Sequence, residues 1–161
     1  MKSMFLLFLL LPLFGSAISQ PASKEDVLMT CRTLISKAFK HESIADSLYQ
    51  KLEGENGAHN LLYGYRGAIE MSFGKHHSNL IKKGRYFSSG KEILETAISK
   101  DPNNIELIFL RYTIQYNVPG FLGYKSNLEE DRAMLESAID TMSLVGLRNS
   151  IKDFLKNNQA Q

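Results

Sequence analysis

LLYGYRGAIEMSFG, residues 61–74, sets Leu61, Leu62, Tyr65, Ile69 and Phe73 at helical spacing, with Gly64, Gly67, Ala68 and Gly74 away from that stripe. An interior glycine costs a helix about 1 kcal/mol relative to alanine, so several in one helix need a compensating gain. Close backbone approach of a neighbouring helix supplies it. The stretch therefore predicts a helix over about 58–74 with a second helix pressed against it, and helix-on-helix packing as the architecture.

Apolar residues recur at helical spacing on both sides of this stretch, and no run alternates long enough for a strand. Upstream, Ser23 with Asp26 predicts a capped start, and 24–39 carries Val27, Leu28, Cys31, Leu34, Ile35, Ala38 and Phe39 on one face. A short helix follows Ser43 through Ile44, Leu48 and Leu52 and stops at Gly54, where EGENG turns. Downstream, Leu80, Gly84, Phe87, Lys91, Leu94 and Ile98 keep one phase, which predicts a continuous helix over about 79–100; Ser89 with Glu92 offers a fresh start inside it as the alternative. Pro102 ends that helix and suits the first turn of the next, about 103–116. Ser126 and Glu129 form a second capping box before 127–142, and a last helix over about 144–156 groups Leu147, Ile151, Phe154 and Leu155. The expected fold is all-α, about seven helices in antiparallel hairpins or a bundle.

Residues 1–19 read as a signal peptide rather than as part of this fold. Lys2 gives a positive start, Phe5 to Phe14 is an apolar run too short to span a bilayer, and Ala17-Ile18-Ser19 is a small-x-small cleavage pattern before Gln20. Residues 20–161 are then expected to form a single exported domain, periplasmic or secreted, with no membrane span. That length supports a core without staples. The one cysteine, Cys31, has no internal disulfide partner and, in phase with its apolar neighbours, reads as a buried structural thiol. The 19 Lys and Arg against 17 Asp and Glu are near balance, which argues against a nucleic-acid partner. Only 75–91 is lopsided, with Lys75, Lys82, Lys83, Arg85 and Lys91 and no acid. It reads as a solvated helix face, with contact to an anionic surface as the alternative. Nothing in the pattern fixes the oligomeric state.

ILETAISKDPNN, residues 93–104, resembles the end of the second helix of a tetratricopeptide repeat: Ala97 and Pro102 sit at the family's positions, Leu94 takes its usual aromatic slot, and Gly90 matches its small residue. The likeness covers one half-repeat. The run from GYRG through FLRYTIQYNVPGFLGY also resembles a group of small exported bacterial helical proteins. These resemblances imply stacked antiparallel helical hairpins and a protein-binding groove.

Signatures of catalysis are missing: the chain has no G-x-S-x-G, no phosphate-binding glycine loop, no C-x-x-C and no H-E-x-x-H. Glu129, Glu130 and Asp131 cluster in the first turn of a helix, where the dipole explains acids. His41, Glu70, His76 and His77 are the set that antiparallel helices bring toward one end, the minor candidate for a metal site. No catalytic residue, metal ligand or cofactor is assigned.

Candidate partner-binding residues fall in two groups. Tyr63, Arg66 and Glu70 share a polar face of the 58–74 helix, with Arg66 and Glu70 one turn apart and able to pair. Arg111 lies on the apolar side of its helix, in phase with Leu107 and Ile114, so it must be paired or at the rim of the core. Its expected role is a clamp on loop carbonyls, with a ligand contact as the alternative. Tyr116 and Asn117 lead from there into NVPGFLGYKSN, 117–127, a turn carrying Phe121, Leu122 and Tyr124. Pro119 holds Val118 extended, and Gly120 and Gly123 free the backbone. The three large side chains either plug a helical hairpin or form the lip of a groove. The leading expectation is a non-enzymatic protein- or peptide-binding module whose groove gathers Tyr63, Arg66, Arg111, Tyr116, Phe121 and Tyr124. The alternative is a small-ligand or metal-binding protein with 117–127 as lid.

Overall fold

The structure, a computed structural model, describes residues 22–158. Segment 1–19, expected to be a signal peptide, and its expected cleavage point lie outside the described residues. Seven α-helices and one 3-10 turn, with no strand, make up the described chain: α1 Lys24–Ala38, α2 Glu42–Lys51, α3 Asn60–His76, α4 Leu80–Lys100, α5 Ile105–Asn117, the 3-10 turn Gly120–Leu122, α6 Leu128–Ala138 and α7 Val145–Asn157.

Helix ends follow side-chain chemistry at some places and backbone alone at others. Ser23 and Asp26 form the expected reciprocal capping box, each satisfying an orphan amide of the other. Asn79 and Asn104 cap α4 and α5 by accepting from amides of the first turn. Three expectations are corrected. α2 starts one residue before Ser43, from His41, and no side chain caps it. Pro102 stays in the turn, and α5 begins only at Ile105. Ser126 does not cap α6: Asn127 holds that position without a side-chain bond, and the Ser126 hydroxyl donates to the Asn127 side-chain oxygen. The 79–100 segment is one helix, so Ser89 and Glu92 are interior.

α3 and α4 pack in antiparallel fashion with backbones in contact. A Cβ on Gly67 would lie 2.6 Å from the Gly90 carbonyl oxygen and 2.7 Å from the Leu94 amide nitrogen. One on Gly90 would lie 2.6 Å from the Met71 amide nitrogen. Gly74 against Lys83 and Gly64 against Ala97 and Leu107 continue the seam. The glycines of 61–74 thus yield the close approach that offsets their helix cost. Their face is not the solvent side of a one-sided helix, because α3 packs against α1, α2, α4 and α5. The core runs from Leu28, Cys31, Leu48 and Leu52 through Leu62, Ile69, Leu94 and Leu107 to Leu135 and Ile151. Phe154 of α7 meets Phe109, Tyr112 and Tyr116 of α5 edge to face, at centroid distances of 5.6 to 5.9 Å.

The expected buried stripe of α4 starts later than the pattern suggested. Leu80 is 80% exposed and Ile81 76%. Phe87, Gly90, Leu94 and Ile98 carry the packing instead.

Candidate functional site

Two ion-pair knots take up the buried charges Glu106, Arg111 and Asp131 and leave Glu70 outside them. In the first, Arg32 of α1 donates to both carboxylate oxygens of Glu106 at 2.8 Å, and the Tyr65 hydroxyl donates to Glu106 Oε1 at 2.7 Å. One carboxylate thereby ties α1, α3 and α5 together. In the second, Arg111 donates from Nε to Asp131 Oδ2 at 2.8 Å and from its terminal nitrogens to Asp131 Oδ1 at 2.6 Å and Glu95 Oε2 at 3.0 Å. Tyr124 donates its hydroxyl to the other oxygen of Glu95. Fully paired forks of this kind satisfy donors that burial would otherwise leave costly.

Arg111 is therefore a clamp, as its phase on α5 implied, but it grips carboxylates of α6 and α4 rather than loop carbonyls. Burial and the Glu95 bond hold the Tyr124 hydroxyl protonated well above the usual tyrosine range. The ring also meets Phe87 at 5.8 Å and lies 4.8 Å from Lys91 Nζ. Phe121, three residues earlier, is 87% exposed. The loop thus splits: Tyr124 plugs the fold while Phe121 faces solvent. Gly123 alone of its two glycines takes a positive φ, +60°, and Gly120 enters the 3-10 turn instead. Tyr116 is half-buried against Phe154, and the Asn117 amide donates to the Thr113 carbonyl. Arg111 and Tyr124 are buried in these internal bonds, whereas Tyr116 is half-buried and Asn117 exposed.

The α3 row is arranged differently. Tyr63 receives Lys100 Nζ over its ring at 5.6 Å. Arg66 donates to the Glu55 carbonyl at 2.6 Å and stacks over Tyr49 of α2 at 5.8 Å. It does not pair with Glu70, which corrects the expected one-turn ion pair. None of the contacts of this row reaches the partners of Arg111 or Tyr124, so the single groove joining both groups does not form from direct contacts.

Glu70 lies at 9% exposure, and its Oε2 is buried with no hydrogen-bond partner among the described residues. Above it opens a hollow of about 280 Å³ lined by Glu70, Lys82, Arg85, Tyr86 and Ser89. Lys82, Arg85, Tyr86 and Ser89 form one stripe along α4, since steps of three and four residues share a helix face. Tyr86 is held against Phe73 at 5.5 Å and stacks on His77 at 4.9 Å. No residue of 117–127 lines this hollow, so it has no lid from that loop.

The histidines do not gather. His76 donates from Nε2 to the Ala38 carbonyl at 2.8 Å, His77 stacks on Tyr86, and His41 opens α2. Among the described residues no three of His, Cys, Asp and Glu are placed to hold a metal ion.

Glu70 was legible as a polar residue on a shared face but not as an orphan. Lys82, Arg85, Tyr86 and Ser89 were hidden in a stretch read for its charge alone. Their spacing was the available signal, and it becomes a site only once α3 lies beneath it. Comparison of the chain with protein-family models, curated proteins and solved structures finds no match.

Proposed function

We propose that the protein is an exported, non-enzymatic helical binding module, with tetratricopeptide-like hairpins, that receives a protein or peptide segment along the Tyr63–Arg66–Glu70 row of α3. The observation that carries this reading is Glu70, a buried carboxylate without a partner on the floor of an open hollow. A buried acceptor left unpaired costs about 1–3 kcal/mol, more when charged, and a cationic group from outside removes that cost. Lys82 and Arg85 on the same hollow supply donors for a neighbouring carboxylate, and Tyr86 offers flat contact area.

A photoreactive p-benzoylphenylalanine at position 89 tests it. In the native exported fraction it is expected to yield a discrete protein adduct that Glu70→Gln, which keeps the volume and removes the charge, abolishes. An adduct indifferent to Glu70→Gln and to Arg85→Ala overturns the assignment to this hollow.

The charge pattern of the hollow, Glu70 with Lys82 and Arg85, favours a second reading. At about 280 Å³ it sits just below the roughly 300–1,000 Å³ of small-molecule sites. A carboxylate floor with cations beside it suits a small zwitterion such as a free amino acid. A melting temperature that rises with free amino acids, fails to rise in Glu70→Gln, and is accompanied by no protein adduct selects this reading over the first.

A further inference from the structure

We propose that the N-terminal tip of α4 is a membrane-surface wedge that seats the protein on an anionic lipid bilayer; Lys82 and Arg85 of its collar also border the Glu70 hollow, whereas Leu80, Ile81 and Lys83 do not. Leu80 and Ile81 open the helix and are 80% and 76% exposed, far more than the other adjacent exposed aliphatic pair among the described residues, Leu144 and Val145, at 38% and 54%. Water is a poor environment for such a pair, and the apolar core already closes without them. Leu80 breaks from the apolar phase it shares with Phe87, Leu94 and Ile98, so its exposure is a product of the fold rather than of its spacing.

Around the pair the charge has one sign. Lys75 lies in the last turn of α3, Lys82, Lys83 and Arg85 follow within the first turns of α4, and no Asp or Glu occurs from 75 to 91. Glu70 of the packed α3 is 9% exposed, on the floor of the hollow that Lys82 and Arg85 border, and pairs with neither. Lys75, Lys82 and Arg85 are exposed, and no ion pair engages any of the four among the described residues. Adjacent aliphatics at a helix tip inside an unpaired basic collar match the two layers of a bilayer surface: aliphatics enter the acyl boundary while ammonium and guanidinium groups meet headgroup phosphates. An acidic protein face would satisfy the collar, but it gives no reason for two aliphatic side chains to project beyond it. No described helix is long and apolar enough to cross a membrane, so the contact is peripheral.

Flotation with vesicles tests the wedge. The protein is expected to float with phosphatidylglycerol–phosphatidylcholine vesicles, not with phosphatidylcholine alone, and to be released by salt as surface screening requires. Leu80→Ser with Ile81→Ser, both at exposed positions, is expected to cut partitioning at least about tenfold with unchanged melting temperature. Lys82→Ala with Lys83→Ala is expected to weaken binding and flatten its salt dependence. Because the chain contains no tryptophan, Ile81→Trp is a background-free reporter whose emission should shift to the blue on anionic vesicles. Failure to float with anionic vesicles overturns the proposal, as does flotation indifferent to the double serine substitution, even where a protein partner is found on the same surface. Glu70→Gln is expected to float like wild type, so loss of the hollow's ligand and loss of lipid contact are told apart.

Discussion

Arg111 shows how one side chain fixes the relation of three segments. Its fork is satisfied by Asp131 of α6 and Glu95 of α4, and Glu95 in turn holds Tyr124 of the loop. Removing the arginine leaves Asp131 with no exposed surface and no countercharge. Arg111→Ala is expected to cost about 3–5 kcal/mol, while Arg111→Met combined with Asp131→Leu recovers most of it, because an apolar pair needs no partner. Urea denaturation of the three proteins measures both values; a loss under about 1 kcal/mol for the single substitution would mean that the carboxylate reaches water. The need for a partner was readable from the phase of Arg111 on α5. Its identity was not, since Asp131 reads equally well as a first-turn acid favoured by the helix dipole. The same limit hid Arg32 and Glu106, which are 74 residues apart in the chain and meet across two helices.

At the scale of the helix, the α3–α4 seam separates two kinds of glycine. Gly67 and Gly90 sit where the backbones touch, whereas a Cβ on Gly84 would meet nothing within 4 Å. Gly67→Ala is expected to destabilise by at least about 2 kcal/mol, because backbone cannot yield as a flexible side chain does. Gly84→Ala is expected to stabilise by roughly 0.5–1 kcal/mol from helix propensity alone. Equal effects in chemical denaturation would refute the close seam. Glycine content announced such a seam from the sequence, and Gly90, the small position of the repeat-like stretch, proved to be its other half. Helix starts were less legible: Ser23 caps α1, but Ser43 and Ser126 cap nothing, since a capping residue must also hold the right backbone geometry relative to its own turn. Leu80 misled for a related reason. Its phase is apolar, yet α4 extends past the segment where its neighbours can cover it.

Across the whole molecule, burial sets a common response to alkali. The Cys31 thiol is pushed up to about 12 by burial, with the Glu106 charge adding to it. Tyr65 and Tyr124 are also raised, first by burial and then by the carboxylates Glu106 and Glu95 that accept their hydroxyl bonds. Each group keeps its proton in the folded state and gives it up more readily when unfolded. Their stabilising contribution is therefore complete below the unfolded values, near 9 for the thiol and 10 for the phenols, and is lost as pH rises toward the folded ones. The unfolding free energy from urea denaturation is expected to fall from about pH 9 upward, by up to roughly 1.4 kcal/mol per pH unit for each group, lowering the midpoint, and more gently in Cys31→Ala. A midpoint level through pH 11 or so would contradict this. By itself, the sequence determined an all-helical chain, the approximate position of each helix, the tight seam of the glycine-bearing one and the burial of Cys31, because these follow from spacing and side-chain size within a turn or two. Only the tertiary structure decided that Glu70 lies unpaired beneath Lys82 and Arg85, that Tyr124 turns inward while Phe121 turns out, and that Leu80 and Ile81 stand clear of the core. Those outcomes depend on which helix covers which face, a long-range matter on which a local pattern of apolar and polar residues is silent.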